Sequence, residues 1–346
     1  MQKHYTAFFL LLFILPFTSF SQSFDPVEKV KQDMVEASHQ LMRVLYSEQL
    51  EKLKHPFEDE ERKIWNNLPT HSFLREGLPL GDLNAAQKMA LHAFLQSALS
   101  EQGYLKVQNI IQQDQNRRME VFEEYGFETN MTMYGHDYYY LTLFGEPSMT
   151  SAWGWRFEGH HISLHFTLTP EGISVTPMFV GVDPREVTEG PYAGYTFMHE
   201  ETCEGWRLIN SFTEEQNTAA LLDGKMPDDV LTREGDEPHT QKAQGLAFSD
   251  MSASQQDAVK TLIRAWVYNL AYPLAEQEME EIMNAGLDKL HFAWAGDKGQ
   301  HEARYYRIQG PACIIEYDNR SYESWHIHSL WRNLSEDFGK EVVVGK

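Results

Sequence analysis

The stretch Gly77-Leu-Pro-Leu-Gly-Asp-Leu-Asn-Ala-Ala-Gln-Lys-Met-Ala90 occurs a second time as Gly245-Leu-Ala-Phe-Ser-Asp-Met-Ser-Ala-Ser-Gln-Gln-Asp-Ala258. Gly, Leu, Asp, Ala, Gln and Ala return in register. In both copies a capping residue (Asn84, Ser252) stands three positions before a Gln (Gln87, Gln255), which marks a helix start. Working outward, Ser47-Glu-Gln49 has a counterpart in Thr213-Glu-Glu-Gln216 upstream of the second copy. Downstream, Trp155-Arg-Phe-Glu-Gly159 is answered by Tyr306-Arg-Ile-Gln-Gly310. Three matches in one order describe an internal duplication.

Each copy reads as helices first and strands second. In the first, apolar residues at three- and four-residue spacing predict helix over Asp25–Leu53, after Asn84, and over Tyr104–Tyr125. Alternation then predicts strands at Tyr138–Phe144, Ala152–Phe157, His160–Thr169 and Ile173–Phe179. In the second, helices are expected over Ser252–Leu270 and Leu274–Met283. Its strands are expected at Lys289–Trp294, Glu302–Ile308, Ala312–Asp318 and Trp325–Trp331. The polar segment Gly224–Gln244 reads as a loop. The expected class is α+β, with two helix-then-antiparallel-sheet repeats, 22–190 and 191–346, packed around a pseudo-twofold axis. Such an axis makes a shared cleft.

Residues 1–21 predict a secretory signal peptide: Lys3, an apolar run from Ala7 to Phe17, and small residues at Ser19 and Ser21 before the cut. The run is shorter than the roughly 20 residues a membrane span needs. The expectation is an exported protein, periplasmic or extracellular, with no membrane anchor after cleavage. Export permits a disulfide between Cys203 and Cys313, and each also suits a buried apolar position. A net charge of −22 argues against a phosphate-backbone partner, so no nucleic acid is expected. The aromatic content of 13% argues for a packed fold rather than disorder.

No nucleophile elbow, P-loop or dinucleotide fingerprint occurs. The chemistry-bearing residues are histidines and acids. In Gly159-His-His-Ile-Ser-Leu-His-Phe-Thr-Leu-Thr169, strand alternation puts His161, Ser163, His165 and the threonines on one polar face. The matched strand Pro311–Asp318 puts Glu316 at the position of His165. In Trp325-His-Ile-His-Ser-Leu-Trp-Arg332, His326 and His328 share a face about 6.6 Å apart along the strand, close enough to converge on one metal. His161 and His165 are about 13 Å apart along theirs, so one of them at most joins that ion. The expected site is His326, His328, one of His161 or His165 (His161 being offered from the matched strand across the axis) and Glu316. Three nitrogens and a carboxylate suit zinc or copper, and also iron. Glu316 is expected as ligand or base, and Arg332 as the group that orients an anionic substrate. Hydrogen bonding within a polar sheet interface is the competing account of the same histidines. A different class of function, a non-catalytic module for a peptide or polysaccharide, would use Tyr138–Tyr140, Trp153 and Trp155 as stacking surface.

Trp153-Gly-Trp-Arg-Phe-Glu-Gly-His-His161, Tyr306-Arg-Ile-Gln-Gly-Pro311, Ile315-Glu-Tyr317 and His326-Ile-His-Ser-Leu-Trp-Arg332 together resemble the signature of the family called domain of unknown function 3500. The likeness spans nearly all of the chain after the leader. It implies that His160, His161, Glu316, His326, His328 and Arg332 belong to the family's pattern, and it implies export. It brings no activity. His165 and Asn333 depart from the pattern, standing where the family often has Asn and Asp.

Overall fold

The computed structural model describes residues 25–125, 133–187, 190–223, 225–235, 242–319 and 326–339. The leader expected at 1–21 lies outside them, as do Trp325 and residues 320–324 of the loop before His326. The helices are α1 (Pro26–Val44), α2 (Ser47–Leu53), α3 (Ala85–Ala98), α4 (Glu101–Tyr125), α5 (His199–Asn210), α6 (Glu214–Ala220), α7 (Ala253–Val267) and α8 (Tyr272–Asn284). The strands are β1 (Lys54–His55), β2 (Leu78–Pro79), β3 (Tyr140–Phe144), β4 (Trp153–Gly159), β5 (Ile162–Leu168), β6 (Ile173–Ser174), β7 (Met178–Val182), β8 (Leu246–Ala247), β9 (His291–Gly296), β10 (Arg304–Gln309), β11 (Cys313–Asp318) and β12 (Ile327–Asn333). Helix and sheet segregate as expected of an α+β chain.

All twelve strands join one sheet in the order β1-β3-β4-β5-β7-β12-β11-β10-β9-β8, with β2 on β3 and β6 on β5. Among the described strands, only β1 runs parallel to its neighbour. The order reads outward in the same way from the central antiparallel pair β7–β12, in which Gly181 faces His328 and Met178 faces Trp331. Thus the β3-β4-β5-β7 meander and the β9-β10-β11-β12 meander meet edge to edge.

Capping residues start the matched helices and then do a second job. Gln87 closes the Asn84 capping box, and its amide also donates to the Val44 carbonyl (2.9 Å) and to Gln49 (2.8 Å). Gln255 closes the Ser252 box and donates to the Ser211 carbonyl (2.9 Å) and Gln216 (2.9 Å). Each Gln therefore ties a short helix, α2 or α6, to a long one. Each copy of the opening motif begins on a glycine at positive φ, Gly77 at 106° and Gly245 at 105°. In both, an added Cβ would strike the backbone of the neighbouring strand.

Three sequence expectations need correction. The helix expected over Asp25–Leu53 is two helices, because Leu45 and Tyr46 are extended. The strand expected at Ile173–Phe179 is split into β6 and β7, with Pro177, which has no amide hydrogen, between them. Helix α5 was not expected. Its start lacks a side-chain cap, and its buried side includes Thr202 and Gly205 beside Leu208 and Ile209. Gly205 is there because Tyr306 packs where a Cβ would be, 2.4 Å away.

One face of the sheet carries the helices and the main core. Trp155 stacks on Phe166 (4.2 Å, 6°) and meets Phe94 of α3 edge-on, while the Trp266 indole of α7 donates to Ser329 (2.5 Å). The other face carries Arg156, Glu158, His165, Glu316, His328 and Arg332. It is covered by loops from residues 56–76, 226–235 and 334–339. Arg156 donates to the Glu61 carbonyl (2.5 Å) and Arg332 to the Thr232 carbonyl (2.8 Å), and Arg75 of the covering loop donates to the carbonyls of Asn66 and Leu68 (both 2.6 Å). Among the described residues no helix is long and apolar enough to cross a membrane. Cys203 and Cys313 are both free thiols.

A candidate metal centre at the end of the central strands

β12 opens with His326 and His328 flanking Ile327, which is buried. The two rings converge to 4.6 Å between centroids. His161 comes from the turn joining β4 to β5. Its Nε2 lies 2.7 Å from the Nε2 of His326, and its ring is 4.7 Å from His326 and 5.4 Å from His328. One ligand atom from each of the three residues lies within 4.8 Å of the others.

β7 lies between β5 and β12, so His161 reaches His326 and His328 across the end of β7. Gly181 makes that crossing possible. Its amide donates to the His161 carbonyl (2.8 Å), and a Cβ there would lie 2.6 Å from the Ile327 carbonyl, 3.0 Å from His161 and 3.2 Å from His328. His161 adopts a φ of 66°. It is therefore not on the strand face shared with His165, as alternation had suggested: β5 begins one residue later, and the left-handed turn sets the His161 ring apart from that row. His165 sits elsewhere, bonded to Ser163 (2.9 Å) and edge-on to Trp65 and Phe338.

The triad has a supporting layer. His328 Nδ1 is 2.7 Å from Asp229. His160 packs on His161 at 3.7 Å between centroids, and its Nδ1 is 2.5 Å from Asp114, whose other oxygen accepts the Gly135 amide (2.7 Å). Burial, then the neighbouring histidines His160, His326 and His328, hold the His161 pKa well below the usual range. Burial, then His328 and His160, push His326 down to about 2. Both rings are neutral at pH 7, the state in which imidazole binds a metal. The contact between the two Nε2 atoms is then a hydrogen bond with one donor and one acceptor.

Glu316 and Arg332 do not join the triad. Glu316 faces Leu330 across the β11–β12 pair, two positions beyond the Asp318–His328 pair. Its carboxylate accepts the amides of Leu231 (2.7 Å) and Thr232 (2.9 Å) and the Tyr305 hydroxyl (2.5 Å). Arg332 is buried and paired with Asp337 (2.6 Å), and it donates to the Thr232 carbonyl (2.8 Å). A substrate-orienting guanidinium is not what this geometry provides. Of the stacking surface expected for a polymer ligand, Trp153, Trp155 and Tyr139 are no more than 1% exposed, while Tyr138 and Tyr140 are half-buried. Sequence reasoning missed Gly181, Asp229 and Asp114. A loop aspartate carries no periodic signal, and Asp114 gives only the hint of an acid at a buried helical position.

Residues 28–340 match the family described as "Protein of unknown function (DUF3500)". No curated protein and no solved structure matches the chain.

Proposed function

Starting from the chain's membership of the DUF3500 family, which brings no activity with it, we propose that this is a metal-binding protein whose His161, His326 and His328 hold one zinc or copper ion. The observation that carries this reading is the convergence of three imidazoles from two separate segments onto one point. Three histidine ligands leave a coordination position open. A zinc ion so bound activates water for hydrolysis, and copper supplies one-electron oxidation chemistry. We therefore read the protein as a hydrolase or oxidase acting on a small molecule or polymer. Glu316 and Arg332, both committed to loop backbone, are not assigned to the reaction.

Two further readings belong to the proposal. The apolar segment from Ala7 to Phe17 supports export, and N-terminal sequencing of the mature protein tests it. The paired Gln49–Gln87 and Gln216–Gln255 ties and the strand order outward from β7–β12 support descent from a duplicated unit. Elemental analysis of the purified protein, beside His161→Ala, His326→Ala and His328→Ala, tests the metal. Near-stoichiometric zinc, copper or iron that all three substitutions abolish is the expected result. No bound metal after reconstitution overturns the reading.

A further inference from the structure

The segment Asp229–Arg233 has no regular secondary structure and makes no ladder of its own, so its backbone groups need partners from elsewhere. β10, β11 and β12 supply them. Glu316, fully buried, accepts the amides of Leu231 and Thr232 and the Thr232 hydroxyl, and Tyr305 of β10 donates to the same carboxylate. Arg332 donates to the Thr232 carbonyl, and Asp337 holds the guanidinium from the other side. Val230 is buried in a small apolar cluster with Trp65, Phe179 and Leu330. Together these contacts fix the segment in one register, and at its end stands Asp229, 2.7 Å from Nδ1 of His328.

We propose that Asp229–Arg233 is a positioning strap for the metal site: Asp229 sets the ring orientation and tautomer of His328, and Glu316 and Arg332 act on the site through the strap alone. This rests on the metal reading above. A carboxylate only accepts hydrogen bonds, so the proton between the two groups lies on Nδ1 of His328. Nε2 then keeps its lone pair, and the Asn67 side-chain amide lies 3.4 Å from it. Such a partner behind a ligating histidine typically governs about 10–100-fold in metal affinity. Asp229 is partly exposed, at 23% of its side chain. Glu316 is then a positioning residue two steps removed, which accounts for a buried carboxylate that faces the same side as His328 and does not touch it.

The test measures zinc and copper affinity by competition with a chromophoric chelator, for wild type, Asp229→Ala, Glu316→Gln and the double variant. Asp229→Ala should weaken binding about 10–100-fold. Glu316→Gln should weaken it too, and the double variant should bind no more weakly than Asp229→Ala, because both losses run through one contact. Losses that multiply would overturn the strap. If Glu316→Gln fails to fold, Thr232→Val removes one of the same anchors at smaller cost. In metal-free protein, imidazole 15N shifts should report the Nδ1–H tautomer at His328 in wild type and a shift toward Nε2–H in Asp229→Ala. The same change of tautomer between wild type and Asp229→Ala, in a protein that binds neither metal, would uphold the strap while the metal reading fails. Bound metal with affinity and tautomer both unchanged in Asp229→Ala would overturn the strap and leave the metal reading standing.

Discussion

The two faces of the central sheet are equally buried and are held by opposite chemistry. β4 and β5 are buried along their whole length on both sides. On the helix side, Trp155, Phe166, Trp266 and Tyr306 pack against apolar stripes of helices. On the loop side, Arg156, Glu158, Glu316 and Arg332 are as deeply buried, and each is bonded to loop backbone or to an opposite charge. The difference follows from what covers each face. A helix satisfies its own backbone and offers a continuous apolar stripe, so the strands beneath it need only shape and area. A loop brings unsatisfied amides and carbonyls, so the strands beneath it must supply charged and polar partners. The histidine triad lies on the loop side, where polar side chains are already held in place.

The largest test of this contrast is Trp155→Ala. The substitution empties a stacked position between Phe166 and Phe94 on the helix side and should cost about 3–5 kcal/mol in urea unfolding. A loss below 1 kcal/mol would mean that the helix side does not depend on packing. Next come Gln87→Ala and Gln255→Ala. Each removes a part-buried set of bonds that joins two helices and should cost about 1–3 kcal/mol. The two losses should be of similar size, since the two glutamines make the same set of bonds. A large loss in one and none in the other would break the correspondence between the two glutamine ties.

The smallest effect belongs to the loop side and is a pH dependence. Burial first, then Arg156, Arg62 and Arg332, hold the His165 pKa well below its ordinary value. The unfolded chain takes up this proton near pH 6.5 and the native protein does not. The neutral ring's contribution is therefore complete above about pH 6.5 and falls as the pH drops toward the folded-state pKa, by at most about 1.4 kcal/mol per pH unit. His165→Asn should flatten the stability profile between pH 6.5 and 5 by that amount. An unchanged slope would show that His165 is not kept neutral by its surroundings.

The polar row on β5 and the His326–His328 pair were legible from alternation, and the three histidines that converge were all among those named. Alternation reports polarity, and polarity does not distinguish solvent from a covering loop. Glu316 and Arg332 were read as reactive for the same reason: a charged residue at the right parity looks available until the loop above it is known. The leader and the 320–324 loop lie outside the described residues, and the calls made on them stand as expectations.

The sequence by itself determined most of the longer helices and strands, α5 excepted, the two capping boxes and their glutamines, and the pair of histidines at the start of β12. These are local properties, set by side-chain period, capping and turn chemistry within a few residues. Only the tertiary structure decided that β7 pairs with β12, that His161 leaves the β5 row on a left-handed turn, and that Asp229 lies behind His328. Those contacts join segments about 100 or more residues apart. Nothing in either segment's own periodicity encodes such a partner. It is selected when the edges of two sheets meet and the loops above them find the donors and acceptors they lack.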